Sequence, residues 1–594
     1  MIDLNEKKLY FFDVEVFKYQ SCVVFKNLDG ETVKIFTNSL DGLGDYIDQG
    51  LITEQGFEKL DDYLQGKILV GFNNYGYDDY ILYAMSKDLS QEIIKQWNDS
   101  IINNTSKVGM QKIKSCITLD VFQQIDVSMP SLKKIEGNLG KSIVESKVDF
   151  NIDRKLTPEE NLETIKYCEY DVLQTIEIYK MRSEYFETKN TIVKMIENRH
   201  LHDKAYKWNT TSVIGQILAP KKSVKKNSRF VDDEMLELVP VDVKNMWLEL
   251  DRTFDYKFKT RKTVINELEN IIEFGWGGLH GAPDGVVEVR NVKLLDVTSM
   301  YPSILINFNG LGDNTNLYER MKLDRIQLKS SGDNPELDKA YKLILNSTYG
   351  LLNNQYSQLN NPMLAFSICI YGQISLYVLS QMLHNVGCRV FNINTDGVAF
   401  EPDLNSNYKK VVPEWEQLFS LELEEESYKY WIQKDVNNYI AVADDGYINT
   451  KGGDTNNYRD YENGGRNYYF SNSNTRIVQK ALVEKIVKNV SIADTVMKNK
   501  DDVILYQYIL QAGRTYKGTF DNQGNKLQNV NRVFAGKNTA YEIFKKRVDG
   551  GLVKFADAPS DMILFNGDLK DFDKEIDLQW YYDLAIKNYD RWRV

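Results

Sequence analysis

Several acidic residues of this 594-residue chain are spaced so that they could hold a divalent cation. Asp296 ends the apolar run LLDV and is followed by TSMYPS, where Pro302 stops a strand from continuing. A carboxylate at a strand end, beside backbone N–H groups bared by a turn, suits a cation and a polyphosphate. Alone, such an Asp more often closes an Asx-turn. Asp396 lies in RVFNINTDGVAFEP, where two alternating apolar arms flank the polar tip NTDG, the signature of a β-hairpin. In KLILNSTYG, Lys342, Asn346 and Tyr349 stand at i, i+4 and i+7 and share one helical face. An ammonium, an amide and a phenol in line suit phosphates and a base pair. Near the N-terminus, FFDVEVF puts Asp13 and Glu15 on one face of a strand, where like charges are unfavourable without a cation. VGFNNYGYDDYIL offers Asn73 and Asp78, with Asp79 adjacent, and YCEYD sets Tyr167 and Asp171 one helical turn apart.

These residues need elements to position them. The opening alternates as strands, KLYFFDVEVFKY then SCVVFK, followed by the strand-like ILVGFN and a helical DDYILYAMSKDL. Residues 158–186 read as one long helix, with Thr157 as cap, Pro158 at its first position and early glutamates. The stretch 187–273 is mixed and more helical. Its basic run KKSVKKNSR (221–229) is read as a solvated loop, with phosphate contact as the other reading. FGWGGLHGAPDG (274–285) is a Gly-rich break. LYERMKLDRIQLK, the segment opened by Asn334 and Pro335, and FSICIYGQISLYVLSQMLHNVG are helical, and the C-terminal part carries the basic stretches GRTYKG and FKKRVDGG.

Length suggests roughly three to five folding units. A hydrophobic content of 42% and a charged content of 27% fit a soluble globular chain. No run reaches the ~18 apolar residues of a membrane span, and the N-terminus lacks signal-peptide features. Five scattered cysteines, none in C-x-x-C, and four histidines argue against structural zinc and fit a reducing compartment. The net charge of −12 argues against a nucleic-acid partner only as a sum, since a basic groove can coexist with acidic faces.

Three of these motifs resemble those of the family B DNA polymerases. DVTSMYPSI (296–304) is similar to the first palm motif, D-x-x-S-L-Y-P-S, with Met300 for Leu. KLILNSTYG (342–350) matches the finger-helix motif K-x-x-x-N-S-x-Y-G, and NINTDG (392–397) partly matches the hairpin motif Y-x-D-T-D-S. The N-terminal acids resemble the family's three exonuclease motifs, D-x-E, N-x-x-x-(F/Y)-D and Y-x-x-x-D, in order. The resemblance implies an α/β and α+β multidomain fold: a ribonuclease-H-like exonuclease domain and a right-hand polymerase of palm, fingers and thumb. The expected boundaries are 1–186 exonuclease, 187–290 connecting region and start of palm, 291–320 palm with the first catalytic strand, 321–375 fingers, 376–480 palm with the catalytic hairpin, and 481–594 thumb.

It also implies roles. Asp296 and Asp396, with the backbone of Val297, would hold two Mg²⁺ ions, with Mn²⁺ able to substitute. Asp13, Glu15, Asp78 and Asp171 would hold two more, and Tyr167 would orient the attacking water. Backbone groups of Ser299, Met300 and Tyr301 would cradle the triphosphate, and Tyr301 would stack under the sugar and exclude a ribose 2′-hydroxyl. Lys342, Asn346 and Tyr349 would contact the nucleotide, assisted by Arg325 and Lys329, with Arg320 an equal rival. Asn73 would touch the primer end. Trp276, Gly277 and Gly278 in GWGG, and Lys434, Tyr439 and Lys451, would contact primer–template DNA. Asn392, Asn394 and Gly397 depart from the hairpin pattern. Only 41 positions separate Tyr301 from Lys342, enough for a short two-helix finger and no protein-priming insertion. The implied activity is DNA-directed DNA synthesis from dNTPs with 3′→5′ proofreading. The expected setting is a minimal replicase of bacteriophage or plasmid type in the cytoplasm of a bacterial host, with replication accessory proteins as further partners and no membrane. A primase-polymerase that starts chains and a non-catalytic DNA-binding scaffold are the alternatives.

Overall fold

The structure, a computed structural model, describes residues 9–123, 129–222, 224, 229–253, 261–455, 458, 469–470, 476–513 and 515–593, with 252–253 described in backbone only. The basic run at 221–229 and the GRTYKG stretch lie partly outside these. The chain folds into two compact units, 1–209 with 466–476 and 499–580, and 210–465 with 477–498 and 581–594. Length suggested more, but a single sheet gathers strands from 263 to 451, so the segments expected as palm and fingers belong to one unit.

In the first unit, five strands form a sheet of order β3-β2-β1-β4-β5: β1 (Leu9–Val16), β2 (Ser21–Lys26), β3 (Thr32–Thr37), β4 (Ile68–Gly71) and β5 (Ile117–Asp120). The first three are antiparallel, while β1, β4 and β5 are parallel. Helix α1 (Asp78–Ser86) follows β4, and α2 (Leu132–Asn138) precedes the long α3 (Pro158–Met181). Thr157 and Glu160 close a capping box at the start of α3, with Pro158 in its first turn. The helix expected to reach 186 stops at Met181. Arg182 turns its guanidinium inward onto the carbonyls of Val121 and Gln123, and a separate α4 (Ser183–Lys194) begins. The segment 481–594, expected as a single thumb, is divided. Strands β15 (Tyr508–Gln511), β16 (Val530–Ala535) and β17 (Met562–Leu564) join the first unit, where Arg532 donates to the carbonyls of Gly137 and Lys141 beside α2.

The second unit is built on nine strands in the order β14-β13-β12-β9-β11-β10-β8-β7-β6. They are β6 (Thr263–Glu267), β7 (Asn270–Phe274), β8 (His280–Ala282), β9 (Val287–Val297), β10 (Arg389–Asn394), β11 (Gly397–Glu401), β12 (Leu423–Asp435), β13 (Asn438–Ala443) and β14 (Ile448–Lys451). Helix α5 (Met300–Asn307) follows β9. A helical hairpin comes next, α6 (Thr315–Ser331) and α7 (Pro335–Leu352), the latter capped by the Asn334 side chain. Helix α8 (Pro362–Asn385) is long and apolar enough to cross a bilayer, contrary to the sequence reading. However, 94% of its apolar window is buried in the protein, so it serves as core under β10 and β11. Helices α9 (Arg476–Lys488) and α10 (Leu578–Asp590) lie toward the C-terminus. All five cysteines are free and buried.

Candidate active sites

The hairpin β10–β11 carries Asp396 to the end of β9. Gly397 pairs with Asp296 across the strands, and the Val297 N–H donates to the Asp396 carbonyl at 2.8 Å. The tip is tight: the Asp396 N–H reaches back to Asn394 O at 2.7 Å, and Thr395 sits at φ +63°, an unfavourable region for a β-branched residue. Neighbours hold it there. The Thr395 N–H donates to Leu279 O at 3.0 Å, and Gly278 packs so closely that a Cβ on it would come within 2.5 Å of Thr395 Cα. The GWGG stretch therefore supports the hairpin tip. Gly397 has a similar explanation, because a Cβ there would lie 3.0 Å from Asp296 Oδ1. Burial, then Asp396, Glu426 and Glu424, push the Asp296 carboxyl up to about 7. Burial also raises Asp396, against the opposing pull of Lys451. The two glutamates were not singled out in the sequence, although their alternation in LELEEES on β12 was a signal.

Asn394, the departure from a carboxylate, uses its amide as a donor. Its Nδ2 reaches Val436 O at 2.8 Å and Asn437 Oδ1 at 3.3 Å, in the turn between β12 and β13. Asn392 does the same toward Gln433 Oε1 at 2.8 Å. A carboxylate at either position could not donate.

Past Asp296, Ser299 takes φ +50° and α5 begins, with Met300 buried against Gly372 of α8. Tyr301 meets Tyr349 of α7, ring centroids 4.5 Å apart, and the Tyr349 hydroxyl is 2.7 Å from the Cys369 sulfur. Lys342 and Asn346 are exposed on the same face of α7. Gln373 of α8 donates to Gly275 O at 2.7 Å and Gly277 O at 3.3 Å, so Trp276 sits half-buried in a loop anchored from below. Arg325 lies 3.4 Å from Asp338 of α7, whereas Arg320 and Lys329 are exposed. Lys434 is paired with Asp454 at 2.8 Å, and Tyr439 stacks on Trp431 at 4.5 Å; Lys451 is exposed.

In the first unit, β1 presents Asp13 and Glu15. Burial, then Asp171, drives Asp13 up to about 8, and burial, then Asp13 and Asp171, raises Glu15. Asp78, at the start of α1, is raised by burial and next by Asp13, so it faces the same cluster. Asp79 points elsewhere and is satisfied by Asn74 at 2.9 Å and Thr118 at 2.8 Å. Tyr167 hydrogen-bonds Asp171 one turn along α3. Asn73 is exposed, at φ +57°, with its N–H donating to Asp120 at 2.8 Å. Lys133 of α2, unmarked in the sequence, pairs with Asp171 and lies 3.1 Å from Glu136. The Cys168 thiol stands with Asp13 and Glu15 within 4.8 Å. Burial holds it protonated, and it donates to Asp13 O at 3.4 Å, so the cluster offers carboxylate oxygens to a cation.

No family model matches the sequence, and neither does any curated protein. Among solved structures, the family B DNA polymerase from the hyperthermophilic archaeon Pyrobaculum calidifontis aligns with a TM-score of 0.40 at 13% identity, covering 98% of this chain and 77% of that one.

Proposed function

We propose that the chain is a template-directed DNA polymerase of the bacteriophage or plasmid type, with a 3′→5′ exonuclease in its first unit. The observation that carries the reading is the hairpin that brings Asp396 alongside Asp296, two chain-distant carboxylates with raised proton affinity in one crowded acidic site. The donors are hard oxygens, which suits Mg²⁺. Asp296, Asp396 and the backbone of Val297 would hold it in one unit, and Asp13, Glu15, Asp78 and Asp171 in the other. When bound, divalent cations make the attacking hydroxyl or water more acidic and neutralise charge on the leaving group.

The chain's own residues do the positioning. Backbone N–H groups at the start of α5, from Ser299 to Tyr301, would donate to phosphate oxygens. Lys342 supplies a charge for the same phosphates, and the Tyr301–Tyr349 pair, its rings tilted by 39°, packs where sugar and base would sit. Arg320 is favoured over Arg325 as the assisting finger cation, because Arg325 is already opposite Asp338. In the first unit, Tyr167 is held by Asp171 where it can orient a water. The strand order β3-β2-β1-β4-β5 supports the ribonuclease-H-like reading of that unit.

Primer extension tests this directly. With Mg²⁺ and dNTPs, wild-type protein should lengthen an annealed primer, and EDTA should stop it. Product from primer-free template would favour the primase-polymerase, and no product in any arm would favour the scaffold.

A further inference from the structure

Within the second unit, an open groove of about 770 Å³ lies between strands β9, β12, β13 and β14 of the nine-stranded sheet and the ends of α9 and α10. Tyr430, Ile432 and Ile448 form one wall, packed with Tyr589 and Trp592. Trp431, between Tyr430 and Ile432, belongs instead to the cluster with Leu294, two residues from Asp296. Strand alternation therefore places the groove on the opposite face of the sheet from the Asp296 carboxylate.

The groove reverses the sign of the molecule. The chain carries −12 overall, yet Arg290, Lys429, Lys485, Lys488 and Arg593 line the groove against one carboxylate, Glu288. The cations there stay exposed in their ion pairs, two of which are long, Arg290–Glu288 at 3.5 Å and Lys488–Glu484 at 3.8 Å, and one hydrogen-bonded, Arg593–Asp590 at 3.2 Å. Such pairs contribute little and yield to a polyanion. Two of the cations also lie over rings, Arg290 at 5.5 Å from Tyr430 and Arg593 at 5.7 Å from Tyr589. Cations interleaved with aromatic faces match a chain that alternates phosphates with flat bases. An acidic peptide would use the charges and leave the rings idle.

We propose that this groove is a second nucleic-acid site, holding a short single-stranded segment on the face of the sheet away from the carboxylate pair. The site does not depend on the polymerase reading. The test uses full-length protein and a short oligo-dT carrying iododeoxyuridine, irradiated and mapped by mass spectrometry. Crosslinks are expected at Tyr430 and Tyr589. The triple variant Arg290→Glu, Lys429→Glu, Lys488→Glu is expected to lose those crosslinks and about tenfold in oligo-dT affinity, with a steep salt dependence lost alongside. Its melting temperature and its extension of a short primer–template should stay as in wild type. Absence of groove crosslinks in the wild-type protein, which needs no variant to fold, overturns the proposal. Displacement of the crosslinks by poly-glutamate at lower concentration than by unlabelled oligo-dT also overturns it and assigns the groove to an acidic peptide.

Discussion

Gly278 shows how the Asp396 geometry depends on one missing methyl group. Its backbone lies against Thr395, so Gly278→Ala must move the hairpin tip or distort β8. Overpacking of this kind typically costs about 1–3 kcal/mol. The expected outcome is at least a tenfold loss of primer extension with degradation of single strands unchanged, read in paired gel assays. Lys133 is the corresponding residue in the other pocket. It is buried between Asp171 and Glu136, and removing one partner of a buried pair costs about 3–5 kcal/mol. Lys133→Met should lower the denaturation midpoint accordingly and slow degradation, with synthesis spared if the protein remains folded. Strand alternation, helix spacing and a hairpin tip left Asp13, Glu15, Asp78, Asp171, Asp296 and Asp396 each open alone, and only the resemblance of their motifs to those of a known family singled them out together. The choice of Asp78 over Asp79 came from the register of that motif, and the structure turns Asp79 toward Asn74 and Thr118. Lys133 was not legible. In SLKKIEGN it looks like any surface lysine, and only the packing of α2 onto α3 buries it.

At the scale of elements, the hairpin is clamped by a turn from another part of the sheet. Asn394 donates to Val436 O, and Asn394→Asp would set carboxylate oxygens against that carbonyl. Asn392 still donates to the same carbonyl at 3.3 Å, so the loss is that of one part-buried hydrogen bond, about 0.5–1.5 kcal/mol, and Asn394→Asp should lower thermal stability by that much even as it adds a carboxylate to the hairpin tip. A wild-type melting curve for that variant would contradict the clamp. Helix α4 makes a pH prediction. Lys189 is 2% exposed, and burial lowers its amine to about 7, with Asp120 opposing. Between pH 7 and the ordinary lysine value of 10.5 the unfolded chain holds a proton that the folded chain lacks, so this residue adds stability as pH rises through that window. Wild-type protein should therefore gain melting temperature relative to Lys189→Met from pH 7 to pH 10, as followed by circular dichroism. Equal slopes for the two proteins would contradict the burial. Element types were read well from periodicity, but the end of α3 was not. Its stop at Met181 depends on Arg182 reaching carbonyls 59 and 61 positions away, which no local window contains.

At the scale of the whole molecule, the chain order hides the partition. Residues 499–580 return to the first unit, where Arg532 and the β15–β16–β17 sheet brace α2, the helix that carries Lys133. Contiguous domain boundaries could not have anticipated that, because the contacts bridge almost 400 positions of sequence. Each unit nonetheless contains its own acidic cluster, and in the function proposed above one adds nucleotides and the other removes them. The most direct measurement follows a labelled primer annealed to template with Mg²⁺, with and without dNTPs, for Asp396→Asn and for Asp13→Ala with Glu15→Ala. Asp396→Asn is expected to degrade the primer without lengthening it, and the double variant to lengthen it without degrading it. Near wild-type extension by Asp396→Asn, or loss of both activities in both well-folded variants, would contradict that function.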